Sequence, residues 1–165
     1  MRVRNAASIR AIGYPGRVQG DRVVLESVEI AAPPALVWRA LTTPAELARW
    51  YFEGIQIAST YRVGDPITFA FTLDGAPHHD HGTILAAEPG VLLAYDHWSA
   101  LSGRPDAPEG RTRVTLRLVA VGPRTRVDLR HEGFVLDTEL FHARFFWRVA
   151  LVALADHVLA ASPSA

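Results

Sequence analysis

Residues 137–159, DTELFHARFFWRVALVALADHVL, decide the fold of this chain. Neither Gly nor Pro interrupts them, so one helix can run their whole length. Asp137 stands where an N-cap would accept the first free amide hydrogens, and Glu139 in the opening turn suits the helix dipole. Two adjacent stripes recur at helical spacing: Leu140, Trp147, Leu151, Leu154, Val158, and beside them Phe141, Phe145, Val152, Ala155, Leu159. An apolar surface that wide needs a protein groove to lie in. Between Phe145 and Ala155 only Arg148 is charged, yet the run falls short of the roughly 20 apolar residues that cross a bilayer.

The groove is written in the strands just upstream. Thr125, Val127, Leu129 and His131 alternate with Arg124, Arg126, Asp128 and Arg130, and before the Gly122-Pro123 turn Thr112, Val114, Leu116 and Leu118 alternate with Arg111, Arg113, Thr115 and Arg117. One charged face and one apolar face describe an antiparallel sheet with a single wet side, and the long helix is the one segment large enough to cover the other. Further upstream, residues 81–87 and 91–98 read as two strands joined at Pro89-Gly90, and Ile67, Phe69, Phe71, Leu73 alternate ahead of an Asp74-Gly75 hairpin turn. Residues 51–59 read as a strand with a Gly irregularity, and residues 22–30, RVVLESVEI, as the first strand. Between those two lie a short helix opening at Pro33-Pro34 and a second announced by the capping box Thr43-Pro44-Ala45-Glu46. Strand, two short helices, six strands and a long helix make an α+β domain with its helices on one face of the sheet.

At 165 residues and 49% hydrophobic content, a single domain over 22–165 is expected, preceded by an extension over 1–21. That extension carries Arg2, Arg4, Arg10 and Arg17 but no apolar run of secretory type; it is expected to lie on the surface or add a short edge strand, with a transit-like peptide as the alternative. Seventeen basic residues balance seventeen acidic ones, so no net field draws the chain to nucleic acid or anionic lipid. Every basic residue is Arg and there is no Cys, which excludes Lys Schiff bases, thiol catalysis, disulfides and thiolate metal sites, and fits a cytoplasmic setting.

The stretch VEIAAPPALVWRALTTPAELARWY resembles the opening of the Bet v 1-like (START-like) superfamily, in the branch similar to the C-terminal domain of the activator of Hsp90 ATPase. The matching elements are Ala32-Pro33, Val37-Trp38, Ala40-Leu41-Thr42, Pro44 and Arg49-Trp50, then Val63-Gly64, Gly82 in GTILAAEPGVLLAY, TRVDLRHEGF, and Trp147, Leu151 and Leu154. The resemblance covers about residues 22–160 and implies a helix-grip fold: a curved seven-stranded antiparallel sheet around the long helix, with a cavity between them that relatives use for apolar molecules. Fold alone does not choose among ligands or activities.

No G-x-S-x-G elbow, phosphate-cradling Gly loop or H-E-x-x-H pair occurs. The candidates for proton transfer are His131, His97 and Tyr95: His131 falls on the apolar face of its strand, and Tyr95 and His97 share a face by period. The plain alternative for His131 is a partly buried imidazole with one satisfied hydrogen bond. Candidates for lining a cavity are Trp38, Trp50, Phe69, Phe71, Tyr95, Leu116, His131, Phe141, Phe145 and Trp147. His78, His79, Asp80 and His81 form a dense run in which His79 and His81 share a side while Asp80 faces away; it reads as a solvated hairpin, and no metal or cofactor is expected. Arg144 or Arg148 would meet a ligand carboxylate at the cavity mouth, or simply lie over apolar surface with its head in water. The loop over 99–110 is a lid or an ordinary long connection. Three functions compete: a small intracellular protein holding an apolar or amphipathic molecule; a cyclase, dehydratase or hydrolase acting on an aromatic or polyketide-like substrate; and a chaperone partner, as the resemblance implies. Phe146 and Val149 widen the apolar helix surface and leave room for a homodimer.

Overall fold

The structure, a computed structural model, describes residues 22–161, and the extension expected over 1–21 lies outside them. The chain runs β1 (Val24–Ile30), α1 (Pro34–Thr42), α2 (Pro44–Trp50), β2 (Gln56–Ser59), β3 (Pro66–Leu73), β4 (Ala76–Glu88), β5 (Leu92–His97), a 3-10 turn (Pro108–Gly110), β6 (Thr112–Val121), β7 (Arg124–Glu132) and α3 (Asp137–Ala161). The strands form one seven-stranded sheet in the order β1-β7-β6-β5-β4-β3-β2, with every pair antiparallel. The first two strands are therefore its two edges, and α1 and α2 carry the chain from one edge to the other. This is the α+β helix-grip arrangement that the resemblance implies.

Local chemistry explains the turns and the bend. Asp74 and Gly75 both adopt positive φ (51° and 78°), the backbone of a two-residue turn whose twist matches the flanking strands. The register of β4 against β5 slips between Ile84 and Ala86, and such a bulge adds curvature where the sheet bends around the helix. Just before the bulge, a Cβ at Gly82 would lie 1.7 Å from the Asp96 carbonyl oxygen. The backbones approach so closely there that no side chain fits, and the Asp96 carboxylate is tied to the Thr83 N–H at 2.8 Å and to Arg111 at 2.9 Å. Gly82→Ala should force β4 from β5 and lower stability by about 2 kcal/mol, the usual scale of overpacking. Urea unfolding measures this, and a change below about 0.5 kcal/mol would contradict the close approach.

Three local readings differ from the structure. The Tyr51 N–H still bonds to the Leu47 carbonyl at 3.0 Å, so residues 51–54 extend α2 as a turn, and the strand expected over 51–59 shortens to 56–59. Thr43 makes no side-chain cap bond; Glu46 turns instead to Arg39 at 2.6 Å and His157 at 3.2 Å. At the start of α3 it is Glu139 that accepts the Val135 and Leu136 N–H groups, at 3.3 and 3.2 Å, while Asp137 pairs with Arg22 at 3.2 Å.

α3 buries the first stripe from Trp147 onward and, apart from Ala155, exposes the second. Trp147, Ala150, Leu151, Leu154, Ala155 and Val158 are buried. Phe141 and Phe145 are each 67% exposed, and Val149, Val152 and Leu159 also face out. The sheet presents a one-sided groove, so it covers only one arc of the helix. Full burial of side chains such as Leu154, with 0% exposed, contributes about 1.5–3 kcal/mol each. Along its length α3 runs closest to β1, α1 and α2; its first half stands over the middle strands with space beneath.

Candidate functional site

That space is a cavity of about 400 Å³. Its floor is a layer of rings. Tyr51 meets Phe69 at 6.3 Å, Phe146 at 5.3 Å and Trp147 edge-on at 6.2 Å, and Phe69 meets Tyr95 at 5.9 Å. Behind this floor lies a second void of about 20 Å³, bounded by residues including Trp50 and Leu116, room for roughly one water. Phe52, Leu101, Arg104, Glu139 and His142 also line the larger cavity.

One wall carries the polar groups, placed there by the two-residue period of β4 to β7. His97 Nε2 lies 3.2 Å from Asp80 Oδ2, and Asp80 Oδ1 accepts the Ala100 N–H at 2.8 Å. Burial pushes the Asp80 carboxyl up, but the hydrogen bonds from His97 and Ala100 outweigh it and hold the group below the usual carboxylate range. His131 is fully committed: Trp147 Nε1–H donates to its Nδ1 at 2.9 Å, and its Nε2 meets Thr112 Oγ1 at 2.8 Å. A nitrogen that accepts cannot carry the proton, so His131 is the neutral Nε2–H tautomer. Thr112 passes its own hydrogen to the His97 carbonyl at 3.3 Å. Burial, with a smaller contribution from the charge of His97, pushes the His131 pKa down to about 3.

The two tyrosines form a second polar pair. Burial raises Tyr51 above the ordinary phenol range, and a hydrogen bond from Tyr95 partly offsets it. Tyr95 is also raised, by burial and then by the neighbouring Tyr51 oxygen. Both stay neutral phenols with hydroxyls available for hydrogen bonding.

Of the residues singled out in the sequence, Phe69, Phe71, Tyr95, His97, His131 and Trp147 line the cavity. Trp50 and Leu116 sit behind its floor, where the Trp50 indole N–H is satisfied by the Ala40 carbonyl at 2.9 Å. Trp38 packs against the core outside either space, and Phe141 and Phe145 point to solvent because they lie on the uncovered arc of α3. His131 has both ring nitrogens bonded where the sequence reading allowed one, which leaves it no free nitrogen for a substrate proton. Arg148 pairs with Glu26 of β1 at 2.9 Å. Among the described residues the Arg that lines the cavity is Arg104, held by the Gly133 carbonyl at 3.2 Å and facing Glu139 at 4.0 Å. The 99–110 loop that carries it is braced by the Trp98 indole N–H on the Arg104 carbonyl at 3.1 Å.

Sequence reasoning missed Asp80, Tyr51 and Phe146 as cavity residues. In the 78–81 run, His79 is exposed and Asp80 buried, His78 stacks on Phe71 at 5.4 Å, and His81 bonds Asp106 at 2.8 Å. Among the described residues no group of three or more His, Cys, Asp or Glu is placed to hold a metal ion, and no helix is long and apolar enough to cross a membrane.

Comparison with solved structures finds the same architecture. The protein ChR145 from Cytophaga hutchinsonii is 29% identical, with a TM-score of 0.72 over 84% of this chain and 94% of that one. CalU16 from Micromonospora echinospora is 26% identical, with a TM-score of 0.64 over 86% of this chain and 76% of that one. The Aha1 dimer from Colwellia psychrerythraea, at 23% identity and a TM-score of 0.65, covers 82% and is itself covered over 95%, and it bears on the fold alone. No curated protein matches. The sequence model of the Activator of Hsp90 ATPase homolog 1-like protein family matches residues 31–158, through both short helices, strands β2 to β7 and most of α3, and the chain belongs to that family.

Proposed function

We propose that this protein holds an apolar or amphipathic small molecule, with aromatic character and one oxygen-bearing end, between its sheet and the first half of α3. The observation that carries the reading is the cavity of about 400 Å³, within the range of small-molecule sites and lined mainly by rings with a few converging polar groups. The rings of Tyr51, Phe69, Phe146 and Trp147 offer flat apolar contact, and Tyr51, Tyr95 and His97 gather hydrogen-bonding atoms on one side.

Naphthol, two fused rings with one hydroxyl, is a suitable probe. It should bind with a Kd of about 100 µM, as expected for a ligand of its size well placed in an apolar site. Ala143 lines the cavity from α3, so Ala143→Trp should fill the space and weaken naphthol at least about tenfold, roughly 1.4 kcal/mol. Titration calorimetry on the wild type and the variant decides the matter. Equal affinity in a variant that unfolds normally would place the probe elsewhere and end this reading.

A further inference from the structure

Asp80, His97 and Tyr51 stand in the cavity wall in an order that serves more than retention. His97 turns Nε2 toward the Asp80 carboxylate at 3.2 Å, and a carboxylate acceptor requires a hydrogen on that nitrogen. In the neutral ring the lone pair is therefore on Nδ1. That nitrogen has no hydrogen-bond partner among the described residues; the ring's other close contact is Phe69, which it meets edge-on at 5.3 Å. Asp80 is held in turn by the Ala100 N–H at 2.8 Å and by the Ser99 side chain, so the imidazole is oriented from behind. Tyr95, two residues back on the same face of β5, has its hydroxyl paired with that of Tyr51. With Tyr95 as the donor of that pair, the Tyr51 hydrogen is left to donate into the cavity, polarised by the bond that its oxygen accepts.

We propose that Asp80, His97 and Tyr51 form a proton-transfer site for apolar or aromatic ketones, in which His97 Nδ1 takes a proton from the carbon beside the carbonyl and the Tyr51 hydroxyl binds the carbonyl oxygen. The C–H bond breaks, its electron pair becomes the C=C bond of an enolate, and the carbonyl π pair moves onto oxygen, where Tyr51 meets the developing charge. His97, now an imidazolium beside the Asp80 carboxylate, returns the proton to the same or a conjugated carbon. The result is an isomerisation with no oxidant, reductant or second substrate. His131 is excluded from this role because both its nitrogens are occupied. The titratable and charged groups that line the cavity with His97 are Asp80 on β4, Tyr95 on β5, His131 on β7, Tyr51 after α2, Glu139 and His142 on α3, and Arg104 in the 99–110 loop.

The proposal rests on the cavity accepting a ligand, so its test reads binding and turnover separately. A nitrobenzisoxazole reports a base in an apolar pocket: loss of its ring C–H proton to the base turns the C–H pair into the third bond of a nitrile, and the N–O bond breaks to leave a coloured phenolate. The full chain should bind this probe, read by quenching of Trp fluorescence, and should raise its rate over buffer by at least about 100-fold, the scale of general-base catalysis. His97→Gln should abolish that rise and leave probe affinity within about threefold. Asp80→Asn should lower kcat about tenfold with KM unchanged, because the acceptor that orients the ring is gone while the lining that binds the probe is kept. His81→Gln, outside the cavity, should change neither. Binding without turnover, or turnover that survives His97→Gln, overturns the proton-transfer site and leaves the ligand-holding reading standing; failure of the wild type to bind the probe or naphthol overturns both.

Discussion

Between pH 7 and about pH 4.5 the protein should lose about 2–3 kcal/mol of stability, and His131→Gln should remove most of that loss. In the unfolded chain His131 takes up a proton near its ordinary value of 6.5; in the folded protein burial holds that uptake off until about 3. The folded value is the lower one, so the contribution is complete above pH 6.5 and drains away as the pH falls toward 3. Across that window each pH unit is worth about 1.4 kcal/mol for one group. Asp80 is depressed as well, but from an unfolded value of 3.8, so its contribution is lost only at lower pH and does not enter this comparison. Gln in place of His131 can accept from Trp147 and donate to Thr112 without ever titrating. Thermal unfolding at the two pH values should show a wild-type shift of roughly 10 °C for a domain of this size. A Gln variant that keeps the full shift would show that the acid sensitivity arises elsewhere.

The same residue shows how far the sequence could be read. Alternation along β7 puts His131 on the apolar face, and nothing local to that strand says that Trp147, 16 positions later, brings an N–H to its ring. Strand periodicity gives a face; a partner from another element needs the packing. For α3 the limit is different. Its two apolar stripes are both real, and spacing gives the angle between them without saying which one the groove takes. The buried stripe is the one with Trp147 and Leu154, and the rings at Phe141 and Phe145 lie outside.

Asp80 was hidden by the bulge. Counting back by twos from Ala87, which packs on the core, puts His81 inside and Asp80 outside; counting from Ile84, beyond the register slip, puts Gly82 and Asp80 inside, as observed. One extra residue in a strand reverses every face on its far side. Tyr51 was obscured by a boundary: read as the first residue of a strand it has no fixed relation to the helix, whereas as the last turn of α2 it is carried under Phe146 and Trp147. The order of elements, in contrast, was legible because it rests on long runs of one period, and local errors of one or two residues do not alter it.

Trp147→Ala should lower stability by about 4 kcal/mol, the scale for emptying a buried aromatic site; Trp147→Phe should separate the ring from its hydrogen bond. Phe keeps most of the contact with Tyr51 and Phe146 but has no N–H, so His131 Nδ1 is left buried without a donor, at a cost of about 1–3 kcal/mol at pH 7. That freed lone pair is also the site a proton would take. Burial, the main cause of the low folded pKa, remains, so the pKa rises only by what the lost hydrogen bond was worth to the neutral ring, which narrows the window over which acid destabilises the protein. Trp147→Phe should therefore be clearly weaker than the wild type at pH 7, and the gap between the two urea-unfolding curves should narrow as the solution is acidified toward about pH 4.5. When His131→Gln is already present, the Phe substitution should lose this pH dependence, because no titrating nitrogen remains. A gap between Trp147→Phe and wild type that stays constant with pH would mean that the indole N–H does not hold the imidazole neutral, and the fixed tautomer of His131 would fall with it.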